Sequence, residues 1–237
     1  MLLNGLILLL VTFIAGFISY RINLVRQRDI KHFLVFAGGF LFSITVVHIL
    51  PELYLENGGG LDIGIFVLAG FFLQQVLEFS SHGVEHGHFH HISESHRHRI
   101  SSGLMVVVSL SFHAFFEGSI LVHDQLGNNT ILIGILLHKV PATFALVSML
   151  TCCFTNRSII LGLLFLFSMA SPLGILAGNM VDQEFYKYIF AIVSGSFLHI
   201  STTIVFESST EHKFSLRKML WALTGATMAI IADMFVL

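Results

Sequence analysis

Two apolar stretches of this chain carry ionisable residues at a spacing that could hold a metal ion. The first reads Leu110-Ser-Phe-His113-Ala-Phe-Phe-Glu117-Gly118 and the second Leu136-Leu-His138-Lys139-Val140-Pro141-Ala142. On a helix, His113 and Glu117 stand one above the other on a single face, because residues four apart are neighbours there. A charged side chain at bilayer depth costs about 3 kcal/mol or more unless it is paired or hydrated, which makes such residues functional candidates by default. Two imidazoles and one carboxylate suit a first-row dication such as Zn2+ and leave a coordination position for water or another ligand. The bland alternative, a buried polar cluster that only joins two helices, has the same spacing.

Further polar groups bracket this set. Pro141 removes one backbone hydrogen bond and frees the carbonyl of Leu137 beside His138, which either bends the helix around an ion or is a tolerated kink. Lys139 needs an anionic partner or water, and spacing does not settle where it points. His48 and Glu52 are also four apart, with Pro51 between them, and are expected at an outer mouth or an ordinary helix end. Glu78 and His82 repeat the spacing toward the opposite side, where Glu207 is a comparable inner-exit candidate. His199 lies deeper, as a supporting group or a hydrogen-bonded core histidine. The stretch holding His86, His88, His90, His91, His96 and His98 contains six of the 14 histidines. Its composition says metal binding rather than ordered structure, with a solvated linker as the alternative.

The elements that must position these residues follow from hydropathy. With 55% hydrophobic and 11% charged residues, and a mean hydropathy of +0.85, the chain is no water-soluble globular domain. Its 237 residues accommodate about eight spans of roughly 20 residues with short loops. An all-α membrane protein of eight transmembrane helices is predicted as a single integral-membrane domain over 1–237. Helices 1–3 occupy about 1–83, a cytoplasmic His-rich loop about 84–101, helices 4–5 about 102–154 and helices 6–8 about 158–237. The first helix lacks a basic leader and is expected to be retained rather than cleaved as a signal peptide. The adjacent Cys152 and Cys153 are read as apolar fillers, neither a disulfide framework nor a thiolate zinc knuckle. A net charge of -2 and the absence of a nucleic-acid motif exclude a bulk polyanion partner.

Basic residues orient the bundle. With the N-terminus outside, Arg21, Arg26, Arg28, Lys31, Arg97, Arg99, Arg157, Lys213, Arg217 and Lys218 all fall on the cytoplasmic side, and only Lys187 falls outside. Both termini are therefore expected outside the cytoplasm. Gly38-Gly-Phe40-Leu41 is echoed by Gly195-Ser-Phe197-Leu198 on a helix running the other way, as an inverted repeat would produce.

At these positions the chain resembles the ZIP (Zrt/Irt-like) family of divalent-metal transporters. The resemblance rests on Gly38-Gly39 through His48-Ile-Leu-Pro51-Glu52, on His113-x-x-x-Glu117-Gly118 and on His138 with Pro141. Ser171-Pro172-Leu-Gly174 and Gly195-Ser-Phe-Leu198 complete it. It implies a 3+2+3 inverted-repeat bundle with extracellular termini in the plasma membrane, and a metal site between helices 4 and 5. Zn2+ would be the transported substrate rather than a fixed cofactor, with Cd2+, Fe2+ and Mn2+ as other candidates. The partners are then the metal ion and the lipid bilayer, with room for a homodimer. Many members carry a second, adjacent metal site; here its places are taken by Ala114, Lys139 and Ala142, so a single site is expected. The rival readings are an intramembrane zinc-dependent hydrolase, for which no His-Glu-x-x-His motif exists, and a metal sensor.

Overall fold

The computed structural model describes residues 2–22, 27–56, 60–81, 96–122, 128–207 and 216–236. Among them the regular structure is entirely helical. Helix α1 spans Leu2–Ile22; α2 (Gln27–Ile44) passes through a π-helical turn, Thr45–Ile49, into α3 (Leu50–Glu56). There follow α4 (Leu61–Ser81), α5 (His96–Ser119), α6 (Asn128–Cys153), α7 (Arg157–Gly178), α8 (Gln183–Glu207) and α9 (Leu216–Val236). Taking α2, the π turn and α3 as one interrupted helix leaves eight long helices among the described residues. Seven of them are long and apolar enough to cross a membrane. A helix of 21 residues, such as α4, reaches about 30 Å at 1.5 Å per residue, the thickness of a hydrocarbon core.

The π turn lies just before a proline. Pro51 has no N–H to offer the carbonyl of Val47, so the ladder loses a rung there. The N–H of Leu50 bonds to the carbonyl of Thr45 instead, five residues back, and the wider turn carries His48. Helix α5 begins at His96 rather than near Ser102, so the end of the expected loop continues the apolar helix that follows it.

Packing sorts the helices into two blocks. Helices α2 and α9, and likewise α4 and α8, are packed along their lengths, and α2 also meets α8. In the other block α5 packs on α7, and α1 lies against both α6 and α7. Glycine permits these approaches. A Cβ on Gly39 would collide with the carbonyl of Ala222, and one on Gly225 with that of Phe36. Between α4 and α8, Gly195 meets the carbonyl of Val67 in the same way, and Gly70 that of Ile192.

The apolar interior is divided. One cluster gathers Leu41, Ile44, Ile120, Leu121, Ile131 and Ile135 with Phe197 and Ile200. The other gathers Val106, Val107, Leu110 and Ala114 with Leu146, Leu150 and Phe167. Helices α5 and α6 each run through both, and His113, Glu117, His138 and Lys139 lie at the crossing. Large apolar side chains such as Leu68, Phe72 and Phe79 on α4, or Leu166 and Leu173 on α7, face outward.

Candidate metal centre

Helix α5 supplies His113 and Glu117 from one face, and α6 supplies His138 and Lys139. The ligand atoms of His113, Glu117 and His138 lie within 4.8 Å of one another, with all three side chains buried. His113 Nε2 stands 3.0 Å from Glu117 Oε1, and the two imidazoles meet nearly at right angles with ring centroids 5.8 Å apart. Two nitrogens and a carboxylate oxygen converging this closely are a donor set for a dication of the Zn2+ type.

Lys139 settles its own orientation by electrostatics. Its Nζ donates to Glu117 Oε2 at 2.8 Å and lies 5.4 Å from the centre of the Phe167 ring. Both partners are almost wholly buried, Glu117 at 1% exposure and Lys139 at 2%. Removing an ion from water costs several kcal/mol, and a close opposite charge offsets that cost only when geometry is good. The ammonium therefore takes one carboxylate oxygen, and the other faces His113. Beneath the pair, Thr143 Oγ1 donates to the carbonyl of Lys139 at 2.7 Å. Of the positions expected to replace a second site, Ala114 and Ala142 are both buried, and the carbonyl of Ala114 is held by Ser171 Oγ at 2.8 Å.

A third helix reaches this centre. Gln74 on α4 is buried, and its Oε1 lies 3.1 Å from His113 Nδ1. One turn along, Ser109 Oγ donates to the carbonyl of Leu77 at 2.6 Å. These two rungs, with 74 rising to 77 as 113 falls to 109, fasten α4 antiparallel against α5. Gln74 is absent from the residues expected at the site; its depth in an apolar helix is the only signal the sequence offers for it.

Two further clusters pair histidines with carboxylates. At the first, His48 Nε2 lies 3.3 Å from Glu52 Oε2 while its Nδ1 lies 3.0 Å from Asp233 Oδ1 on α9. Asp233 is absent from the residues expected at the site; as the one carboxylate in the apolar run of α9 it carries the same signal of depth as Gln74. At the second, Glu78 Oε2 meets His199 Nε2 at 2.6 Å, joining α4 to α8, and Phe71 packs edge-on against the same ring. His199 is thus the partner of Glu78, an association that spacing could not predict. His82, His86, His88, His90 and His91 lie outside the described residues. His96 and His98 open α5, and Glu207 closes α8; for these three the structure describes the backbone alone. Cys153 is buried, whereas Cys152 is exposed rather than a filler.

Comparison with curated proteins finds no significant match. The family model described as the ZIP zinc transporter matches residues 73–232. That range runs from α4 into α9 and contains the His113, Glu117 and His138 cluster as well as Lys139 and Gln74. Members of that family are transporters of divalent metals rather than enzymes, and with its long apolar helices this is an integral membrane protein. The chain belongs to the ZIP zinc transporter family.

Proposed function

We propose that this protein carries Zn2+ into the cytoplasm across the plasma membrane through a single site formed by His113, Glu117 and His138 between α5 and α6. The observation that carries the reading is the convergence of those three buried donors at the break between two apolar clusters. Three donors bind a dication without enclosing it, so the ion can be passed on. Cd2+, Fe2+ and Mn2+ are the competing cargoes, and the nitrogen-rich donor set favours Zn2+ over the last two.

Lys139 supports the single site. A second dication about 4 Å from the first would add some 16 kcal/mol of repulsion at an effective dielectric of 20, four times the roughly 4 kcal/mol of two unit charges. Anionic ligands would have to offset it. Here the nearest carboxylate oxygen not facing His113 already holds an ammonium.

The architecture proposed is eight spans, α9 included, in a 3+2+3 inverted repeat with both termini outside. The glycine contacts support it. In α2–α9 and in α4–α8, as also in α5–α7, each helix offers a glycine to a carbonyl three residues from the partner's own glycine, and the match of the first two is what the repeat requires. The lopsided distribution of basic residues supports the orientation. Alternating access would then shear the α1, α5, α6 and α7 block against the α2, α4, α8 and α9 block. His48 and Glu52 belong to the outer mouth; Glu78, His82, Glu207 and the His-rich loop belong to the inner exit.

The test is Zn2+ flux into vesicles reconstituted with the purified protein. Saturable uptake that is lost in His113→Ala, Glu117→Ala and His138→Ala is the expected result. Flux at the unmutated level in any two of these variants would remove the site from the pathway.

A further inference from the structure

The centre contains one polar group that the transport reading leaves without a task. Gln74 is 1% exposed and sits on α4, whereas the donors sit on α5 and α6. Its amide oxygen faces His113 Nδ1 at 3.1 Å. An amide oxygen only accepts, so a hydrogen bond at this contact requires the ring proton on Nδ1. In a neutral imidazole that leaves the lone pair on Nε2, the nitrogen that stands beside Glu117 Oε1.

We propose that Gln74 is a positioning residue that sets the tautomer of His113 and thereby the affinity of the site for its cargo. The choice of an amide is informative. A carboxylate at this place would also accept from Nδ1, but it would make the ring more basic, bind the ion more tightly and slow its release. An apolar residue would free the ring to rotate and to carry its proton on Nε2, where it opposes ligation. A neutral acceptor lies between these extremes, which suits a carrier that must both capture and let go. The bond also crosses between the two packing blocks, so the partner comes from outside the block that supplies the ligands. The inference rests on His113 being a cargo ligand.

The experiment uses the full chain carrying Gln74→Leu or Gln74→Glu, with His113→Ala alongside. Zinc affinity is measured on purified protein by competition with a chromogenic chelator, taking the component that His113→Ala lacks. Uptake by proteoliposomes is measured across zinc concentrations. Gln74→Leu is expected to weaken that component and raise KM by roughly tenfold or more, with the maximal rate kept. Gln74→Glu is expected to tighten it and to lower both KM and the maximal rate. Opposite movements of KM are the signature, since a residue that merely ties α4 to α5 would depress the maximal rate without them. If Gln74→Leu does not fold, Gln74→Glu decides, because it keeps the contact to α5. Unchanged affinity and KM in Gln74→Glu overturn the proposal. Should His113→Ala keep zinc binding and uptake, the site assignment falls and this inference with it. Should His113→Ala lose both while the Gln74 variants match the unmutated protein, this inference alone falls.

Discussion

The central site and the cluster at His48 begin from the same sequence device, a histidine four residues before a glutamate, and end as different chemical environments. At the centre, Glu117 shares its carboxylate between His113 and an ammonium, and the histidine's other nitrogen meets a neutral amide. At His48 the second ring nitrogen meets another carboxylate, Asp233. The central side chains are sealed, whereas His48, Glu52 and Asp233 keep 9% to 16% of their side-chain surface exposed. One arrangement sets an ammonium against a buried carboxylate; the other sets two partly exposed carboxylates around one imidazole. In the proposed pathway a dication is attracted to the second and stripped of its water only in the first. The His-x-x-x-Glu spacing thus specifies a face and leaves the function to what the neighbouring helices bring.

The largest expected difference between the two clusters lies at the candidate ligands. Replacing His113, Glu117 or His138 by Ala is expected to lower zinc uptake by about a hundredfold, the upper range for losing a metal-site group, while His48→Ala leaves substantial flux. Equal losses at both clusters, measured as initial rates at matched surface expression, would show that the two regions are not distinct in kind.

Next in size is the charge balance. Lys139→Met leaves Glu117 as a buried carboxylate without its ammonium, an expected loss of about 3–5 kcal/mol in the metal-free protein. Zinc should restore much of this, because it supplies the missing positive charge. Thermal unfolding in detergent, with and without zinc, checks it; a variant as stable as the parent would mean that the pair contributes little. Lys139→Asp is expected to admit a second ion, read as two zinc ions in the core of a protein lacking the His-rich loop, against one when Lys139 is kept.

A smaller effect is expected at the His48 cluster. Asp233→Asn should raise the KM for uptake a few-fold with the maximal rate retained, and the change should shrink at high ionic strength as screening replaces attraction. A loss of maximal rate instead would place Asp233 in the transport step. Smallest of all, replacing His86 through His98 by a Gly-Ser bridge should reduce total bound zinc yet leave most of the flux. Complete loss in a folded deletion would make that stretch an obligatory step.

Much of this molecule is legible in its residues alone. Long apolar runs specify helices because a backbone in lipid must satisfy its own hydrogen bonds, and that demand is local. The His113–Glu117 and His48–Glu52 pairs are visible for the same reason, since a helix puts residues four apart side by side whatever surrounds it. His138 follows from its depth in the next apolar run. The sequence by itself therefore determines the all-helical membrane class and the residue types from which a metal site could be built.

Which side chains face one another follows from how the helices pack. Lys139 chose Glu117, Gln74 chose His113, Asp233 joined His48, and Glu78 found His199 across 121 residues of chain. None of these has a periodic signature, because each pairs side chains on different helices. Their meeting depends on the register at which those helices pack. For the α2–α9 and α4–α8 pairs that register is set where glycines at 39, 70, 195 and 225 let backbones touch, and it becomes definite only when the helices are assembled. The identity of the donors is thus a property of segments, and the balance of charge around them is a property of the bundle.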